Sequence, residues 1–232
     1  MAPRLLSPSR IGKIVAIGRN YAAHAKELGN AVPTEPFFFL KPATSVIAEG
    51  SPIEVPKGCE VHHEVEVALL IGAPARDLPA DASALSHVAG YGVALDLTAR
   101  NLQLEARKEG KPWSAAKGFD TFTPLSGFIP ASAVQDPSKL RLYLTVNGET
   151  RQDGVTSDML FDVPAQLAAV SAVMTLEPGD VVLTGTPAGA GPLKVGDVVR
   201  AGFGVLGDPN DLATIVFNVE DRKGTGKFST PI

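Results

Sequence analysis

The segment 61–72, VHHEVEVALLIG, has the alternating pattern of a β-strand. It is rich in β-branched residues, and side chains two positions apart on a strand share one face. One face is apolar for most of its length, while the other begins with Glu64 and Glu66 and then becomes apolar. A strand that is apolar on both faces is usually buried on both sides, which would place the two carboxylates inside the molecule. An edge strand with a solvated acidic face is an equally weighted alternative.

Short apolar segments separated by turn residues continue along the chain and predict a β-rich protein with few helices. The 23 glycines and 19 prolines are spread rather than clustered, as expected of turns between many strands. The dipeptide Asn147-Gly148 predicts a hairpin. We expect the strand at 37–40 to be buried and Asn20 to cap the first helix. Further strands are predicted at 13–18, 89–98, 140–146 and 213–219, and helices at 22–28, 81–88, 98–109 and 163–175.

Composition narrows the class of protein. The 232 residues are enough for one large β-rich domain or two small ones. The formal net charge is −4, and no cluster of lysine and arginine forms a patch, so nucleic acid is not an expected partner. No apolar run is long enough to span a membrane, and the first residues lack the apolar core of a secretory signal.

The single cysteine, Cys59, excludes an intramolecular disulfide and fits a reducing compartment. We therefore expect a protein of the cytoplasm or the mitochondrial matrix that is not secreted. The N-terminal segment carries basic residues and no acid before Glu27. A plain basic N-terminus is favoured over a remnant of an organelle-targeting signal.

Acidic side chains mark a candidate metal site. Asp96 stands where the strand at 89–98 would leave the core, so it joins Glu64 and Glu66 as a possible triad on two neighbouring strands. Carboxylates are hard oxygen ligands, which suit Mg²⁺, Mn²⁺ or Ca²⁺ better than zinc.

Other polar residues have spacings that could serve catalysis. His24 and Glu27 would lie one turn apart on the first helix, and a histidine held by a carboxylate is a common general base. The alternative is a surface ion pair, and spacing alone favours that alternative. Arg100 and Gln103 would also lie one turn apart, and Lys117 is set among small and apolar residues.

Seven stretches occur in an order and spacing that are jointly specific: IGRNYAAHAKE, FFFLKP, HHEVEVALLIG, GYGVALDLTARNLQ, GKPWSAAKGFD, VNGE and LEPGDVVLTGTPAGAGPLKVGD. On these stretches, from about Ile14 to Asp197, the chain resembles the fumarylacetoacetate hydrolase family. Within that family it is most similar to the small single-domain acylpyruvases that also decarboxylate oxaloacetate. Ala190, where the family commonly has valine, and the stretch GDPNDL near the C-terminus depart from the family pattern. Neither touches a proposed catalytic group.

The resemblance implies roles for the candidate residues. The implied metal ligands, which would hold Mg²⁺ or Mn²⁺ and could accept Ca²⁺, are Glu64, Glu66 and Asp96. The implied catalytic residues are the dyad His24 and Glu27, carried on a lid, and Lys117. The implied substrate-binding residues are Arg19, Arg100, Gln103 and Thr186.

The resemblance also implies an α+β fold, a mixed β-roll or sandwich with peripheral helices, usually assembled as a homodimer. We expect a single catalytic domain over residues 1–232. Its lid would lie at about 19–35, and a weakly ordered C-terminal tail at about 221–232.

The implied reaction is metal-dependent cleavage of a C–C bond in acylpyruvates, or decarboxylation of oxaloacetate to pyruvate. Keto–enol tautomerisation of oxaloacetate is a third possible reaction. All three reactions pass through an enolate that the metal stabilises, so the sequence distinguishes them poorly. An isomerase or decarboxylase of the 2-hydroxyhepta-2,4-diene-1,7-dioate type is a further alternative. A non-catalytic β-module stabilised by Ca²⁺ belongs to a different class, and it would have no use for His24, Glu27 and Lys117 together.

Overall fold

The computed structural model describes residues 5–27, 29–224 and 226–228. Within these ranges the chain forms sixteen strands and four α-helices, joined by turns and short 3-10 segments. The helices are α1 (Ala22–Glu27), α2 (Arg100–Lys108), α3 (Ser114–Lys117) and α4 (Val163–Ser171). The strands are β1 (Ile14–Gly18), β2 (Phe37–Lys41), β3 (Val46–Ile47), β4 (Ile53–Val55), β5 (Val61–His63), β6 (Val65–Ile71), β7 (Val88–Leu95), β8 (Thr98–Ala99), β9 (Thr123–Pro124), β10 (Ile129–Pro130), β11 (Leu140–Val146), β12 (Glu149–Val155), β13 (Val181–Leu183), β14 (Gly191–Pro192), β15 (Val198–Val205) and β16 (Asp211–Asp221). Among the described residues, no helix is long and apolar enough to cross a membrane.

Two sheets dominate the architecture. The first has six strands in the order β10-β7-β6-β13-β1-β2, and the second has five in the order β12-β11-β15-β16-β4. Most neighbours are antiparallel, but β1 pairs with β13 and β4 with β16 in parallel, so both sheets are mixed. The small ribbons β14-β5-β8 and β3-β9 complete the pairing. The predicted α+β fold with mixed sheets is confirmed.

The main hydrophobic core is built from both sheets, with Val67 of the first and Phe203 of the second among its members. A second cluster, which includes Ala68 and Leu183, lies on the opposite face of the first sheet. Strand β6 is buried along its whole length. The prediction that this apolar segment is covered on both faces is therefore confirmed, and the edge-strand alternative is wrong.

The predicted continuous strand at 61–72 is interrupted at Glu64. Strand β5 pairs with β14 and β8, whereas β6 pairs with β13 and β7. At the break, the Val65 N–H donates to the Gln152 side chain (3.1 Å), and the Glu64 carbonyl accepts from the Asp96 N–H (2.8 Å). These partners come from distant parts of the chain, so the local alternation could not reveal the interruption.

The segment 37–40 is a strand, as predicted, but it is not buried. It forms the edge strand β2, in which Leu40 is 46% exposed and only Lys41 is buried. Phe37 and Phe39 are partly covered by Trp113, whose ring centroid lies 6.0 and 5.5 Å from theirs. The contact with Trp113 accounts for Phe37 and Phe39, whereas Phe38 packs against the main hydrophobic core.

Three of the four predicted helices contain an α-helix, namely Ala22–Glu27, Arg100–Lys108 and Val163–Ser171. The segment 81–88 contains a 3-10 segment, Ala82–His87, rather than an α-helix. The helix predicted at 98–109 begins two residues later because Thr98–Ala99 pairs with β5. Gly29 has the left-handed backbone (φ +63°) expected of a residue that ends a helix. Leu28, the last residue of the first predicted helix, lies outside the described residues.

The predicted C-terminal tail is only partly described. Strand β16 includes Asp221, and the Phe228 N–H donates to the Lys57 carbonyl at 2.8 Å. The Phe228 ring lies 4.9 Å from that of Phe119. The part that can be described is therefore packed, and the prediction of weak order for 225 and 229–232 lies outside the described residues.

Gly18 ends β1 at a position where a side chain has no room. A Cβ there would overlap the ring of Phe37 on the neighbouring strand. We expect Gly18→Ala to lower the free energy of unfolding by about 1–3 kcal/mol, because overpacking forces neighbours out of position. Gly224→Ala is the matched control, since a Cβ there meets nothing within 4 Å. Equal thermal denaturation of the two variants would contradict this prediction.

Candidate active site

Three buried carboxylates converge where β6 and β7 run side by side. Glu66 is paired with Ala94 in the register of the two strands, Glu64 precedes β6, and Asp96 follows β7. All three residues are at most 5% exposed. One carboxylate oxygen from each lies within 4.8 Å of the others. The structure thus brings together the three predicted metal ligands.

Three cationic side chains surround the carboxylates. The Lys117 ammonium donates to Glu64 Oε2 (2.8 Å) and to Asp96 Oδ2 (2.5 Å). The Lys41 ammonium donates to Asp96 Oδ1 (2.5 Å) and to a backbone carbonyl, and the Arg100 guanidinium donates to Glu64 Oε1 (2.5 Å). The three negative charges of the carboxylates are therefore balanced by three positive charges of the surrounding side chains.

This environment shifts the pKa values of the two glutamates in opposite directions. Burial, followed by the charges of Asp96 and Glu64, raises the pKa of Glu66 well above its usual range. Burial alone would also raise the pKa of Glu64, but Lys117 and Arg100 outweigh it and lower that pKa. The pKa of Lys117 is raised, because its two carboxylate partners outweigh the effect of burial. Glu66 is thus the carboxylate with the least compensation from the protein.

The donor set fits a divalent cation. A buried carboxylate with a raised pKa is stabilised in its ionised form by a cation placed next to it. Glu66 has one oxygen held by the Gly185 N–H (2.6 Å), and Thr98 donates weakly to Glu64. Oxygen-only ligands match Mg²⁺ or Mn²⁺ rather than zinc. The residues that would hold such an ion are Glu64, Glu66 and Asp96.

A cavity opens next to the triad, and most of the predicted site residues line it. Together with the triad, the predicted residues in its wall are Arg19, His24, Arg100, Gln103, Lys117 and Thr186. Glu27 does not line the cavity, but its carboxylate lies 3.3 Å from Nδ1 of His24. Nine of the ten predicted residues thus line the cavity, and the tenth, Glu27, contacts one of them, His24.

Helix α1 carries the His24–Glu27 pair. His24 is 4% exposed, which the surface ion-pair alternative does not predict. Glu27 also accepts from the Gly189 N–H at 3.1 and 3.2 Å, which ties α1 to the glycine-rich loop after β13. Gly189 has φ +96°, and a Cβ there would overlap the backbone of Arg151, so only glycine fits. The loop therefore supports the carboxylate that orients the histidine.

Asn20 has a different role from the predicted helix cap. Its amide donates to the carbonyls of Phe161 (3.0 Å) and Thr184 (2.8 Å), and its Oδ1 accepts from the Phe161 N–H. The side chain therefore joins the start of α1 to the loop after β13. The prediction of a cap was wrong because the competing partners are far away in sequence.

Arg19 reaches the cavity from a strained backbone. Its φ is +53°, a left-handed conformation that is unfavourable for a residue with a side chain. The guanidinium lies over the ring of Phe37 at 5.5 Å. Burial and the charge of Arg107 lower the pKa of Arg19. A strained cation turned toward a cavity is consistent with the predicted role in binding an anion.

Helix α2 presents one polar face to the cavity. Arg100 donates to Gln103 Oε1 at 2.5 Å, as their spacing predicts. Arg107, one further turn along, also lines the cavity and donates to Asn30 at 2.7 Å. Arg107 is not among the predicted site residues, although the same helical spacing extends to it.

Thr186 is held by a buried polar network. Its hydroxyl donates to the Val65 carbonyl (2.8 Å) and accepts from the Gln152 amide (2.8 Å). Gln152 also contacts Nδ1 of His63 at 2.9 Å. The Thr186 hydroxyl proton is thus already used by the protein, which leaves a lone pair rather than a donor for a ligand. Gln152 was missed because the residues on either side of it, Arg151 and Asp153, are exposed and charged.

Comparison with known proteins places this site in a family. The fumarylacetoacetate (FAA) hydrolase C-terminal family model matches residues 13–219. The chain belongs to this family. It is 53% identical over 211 residues to "Oxaloacetate tautomerase FAHD1, mitochondrial" of Arabidopsis thaliana, covering 90% of this chain and 92% of that protein.

Two further family members extend the comparison. The chain is 50% identical over 193 residues to "Oxaloacetate decarboxylase, mitochondrial" of Dictyostelium discoideum, covering 82% of this chain and 88% of that protein. A crystal structure of a fumarylacetoacetate hydrolase family protein from yeast matches with a TM-score of 0.85 and 39% identity, covering 95% and 97% of the two chains. The relatives are enzymes, and this family member is an enzyme.

Proposed function

We propose that this enzyme binds oxaloacetate in the cavity beside the triad and catalyses its keto–enol tautomerisation with a divalent cation, Mg²⁺ or Mn²⁺. One observation carries the proposal: a single cavity is lined by three carboxylates suited to the cation, by cationic side chains suited to an anionic substrate, and by a histidine. The names of the relatives support oxaloacetate as the substrate.

The charges of the site favour a substrate with two carboxylates. The three acids are matched by Lys41, Lys117 and Arg100, so a divalent cation would leave two positive charges in excess. Arg19 and Arg107 add further positive charge to the cavity wall. A 2-oxo dicarboxylate therefore complements the loaded site better than a monocarboxylate or a neutral ligand.

The proton transfer is assigned to His24. When bound, the cation would act as a Lewis acid that polarises the 2-oxo group. With Nδ1 facing Glu27, Nε2 of His24 is the nitrogen left to move a proton. In the keto-to-enol direction, Nε2 takes a proton from C3 and then returns a proton to the 2-oxygen, so that His24 ends the reaction as it began. Lys117 supplies a charge that stabilises the developing oxyanion.

Cleavage of acylpyruvates is the second candidate, with decarboxylation of oxaloacetate beside it. The buried His24–Glu27 pair favours hydrolysis specifically, because a histidine held in this way can activate water for attack on a carbonyl. Decarboxylation needs no attacking water, and the relative from Dictyostelium discoideum is named for it. All three reactions would use the same cavity.

Compartment and assembly follow from the relatives and the surface. We propose the mitochondrial matrix, because the relatives are named mitochondrial. We also propose a homodimer, which light scattering would test. The edge strand β2, with Leu40 exposed, offers an apolar surface that a second copy could cover.

The test is to assay three reactions side by side with Mg²⁺ present. Loss of enol absorbance from oxaloacetate measures tautomerisation, and pyruvate release from oxaloacetate or acetylpyruvate measures decarboxylation and hydrolysis. We expect the fastest turnover in the first assay. Faster pyruvate release from acetylpyruvate would favour the hydrolase instead. No turnover in any assay, with Ca²⁺ tightly bound, would support the non-catalytic β-module.

A further inference from the structure

In each carboxylate of the triad, one oxygen accepts from a donor other than Lys117, whose ammonium donates to Glu64 Oε2 and to Asp96 Oδ2. Asp96 Oδ1 accepts from the Lys41 ammonium at 2.5 Å. Glu64 Oε1 accepts from Arg100 at 2.5 Å, and Glu66 Oε2 accepts from the Gly185 N–H at 2.6 Å. Charge-assisted hydrogen bonds of this kind are the strong ones, so they restrict how each carboxylate can turn.

Lys41 differs from the other cations because it approaches from behind the site. Its side chain is 0% exposed, and it does not belong to the described residues that line the cavity. It also donates to the Leu97 carbonyl at 3.2 Å, which holds the ammonium on the protein side. Lys117, which does line the cavity, donates to the opposite oxygen of Asp96. Asp96 therefore presents Oδ2, not both oxygens, toward the cavity.

One-oxygen donors discriminate between divalent cations. Mg²⁺ requires six ligands in near-ideal octahedral geometry and usually keeps several waters. Ca²⁺ accepts about six to eight oxygens and readily takes both oxygens of one carboxylate. An ion that took the place of the Lys117 ammonium at Glu64 Oε2 and Asp96 Oδ2 would receive one oxygen from each acid. Three protein ligands match the smaller ion and leave the larger one short of ligands.

We propose that Lys41 is a specificity-determining positioning residue that keeps Asp96 a one-oxygen ligand and so favours Mg²⁺ over Ca²⁺. The inference rests on the proposed divalent-metal dependence. Lys41 stands at the end of an aromatic strand, where its sequence position indicates no function. Its contact with a metal ligand, rather than with a substrate, defines its role.

The test is calorimetric titration of the full chain with Mg²⁺ and, separately, with Ca²⁺. In Lys41→Met, which keeps the length but removes the donor, Asp96 Oδ1 is released. We expect the ratio of Mg²⁺ to Ca²⁺ affinity to fall about tenfold, equivalent to about 1.4 kcal/mol. Lys13→Met is the matched control, because it removes another lysine paired with a buried aspartate, Asp180, outside the cavity wall. Its ratio should equal that of the wild type.

The ratio separates the proposal from simpler effects. If Lys41→Met acted only by removing a positive charge, it would raise the Mg²⁺ and Ca²⁺ affinities equally and leave their ratio unchanged. A ratio within twofold of the wild-type value would therefore overturn the proposal. If Lys41→Met fails to fold, Arg100→Met applies the same rule to Glu64 Oε1, and an unchanged ratio there would also overturn it. Wild-type protein that binds neither ion would contradict the proposed function itself, which distinguishes the two failures.

Discussion

Replacement of Asp96 by asparagine is expected to abolish Mg²⁺ binding and to lower turnover by at least about 10²–10³-fold, the range seen when one electrostatic partner of a reaction is removed. Asparagine keeps the shape of the side chain but removes the charge that Lys41 and Lys117 both contact. The triad would then lack a ligand, and two buried ammonium groups would lose their shared carboxylate. Calorimetry with Mg²⁺ and the enol-absorbance assay measure the two effects.

Stability must be followed in the same variant. Removal of one member of a buried ion pair typically destabilises a protein by about 3–5 kcal/mol. Thermal unfolding therefore has to show that Asp96→Asn is folded at the assay temperature. Asp153→Asn is the control, because Asp153 is a half-exposed acid that also pairs with a cation, Arg141. A folded Asp96→Asn protein with unchanged Mg²⁺ affinity would contradict the triad as the metal site.

His24→Gln is expected to give the second large effect, a loss of turnover of about 10²–10⁴-fold, the usual contribution of a general acid–base group. Glutamine retains hydrogen-bonding capacity toward Glu27 but has no nitrogen that exchanges a proton near neutral pH. His24 does not belong to the carboxylate triad, so Mg²⁺ affinity should remain within about threefold, a change of less than 1 kcal/mol. The split between turnover and metal affinity distinguishes proton transfer from a structural role.

A second histidine–glutamate pair provides a matched control. His62 lies 2.7 Å from Glu60, and His62 does not line the cavity. His62→Gln should leave turnover within about twofold, as expected of a substitution away from the reacting groups. Pyruvate release refines the test: hydrolysis of acetylpyruvate should fall far more than decarboxylation of oxaloacetate in His24→Gln. Equal losses in all assays would mean that His24 is not mainly a proton carrier or water activator.

The triad could be predicted from the sequence because it depends on local patterns. Alternation along 61–72 placed Glu64 and Glu66 on one face of an apolar segment, and the end of the next strand placed Asp96 beside them. The interruption at Glu64 could not be predicted in this way. It depends on Gln152, which is supplied by a strand of the other sheet.

The residues that were missed act through contacts that only the fold creates. Lys41 follows an aromatic run, and nothing in that run indicates that its ammonium reaches Asp96, 55 positions later. Gln152 stands among exposed residues, and its burial follows from the position of β12 in the second sheet. Arg107 differs from these, because its helical spacing from Arg100 was visible in the sequence.

The most direct test of the central claim is the rate of oxaloacetate tautomerisation by protein stripped of metal, measured before and after Mg²⁺ is added. We predict that the stripped enzyme is almost inactive, that Mg²⁺ restores the rate, and that a chelator removes it again. A rate that is the same in stripped, loaded and chelator-treated enzyme would contradict the assignment of Glu64, Glu66 and Asp96 as the ligands of a catalytic cation.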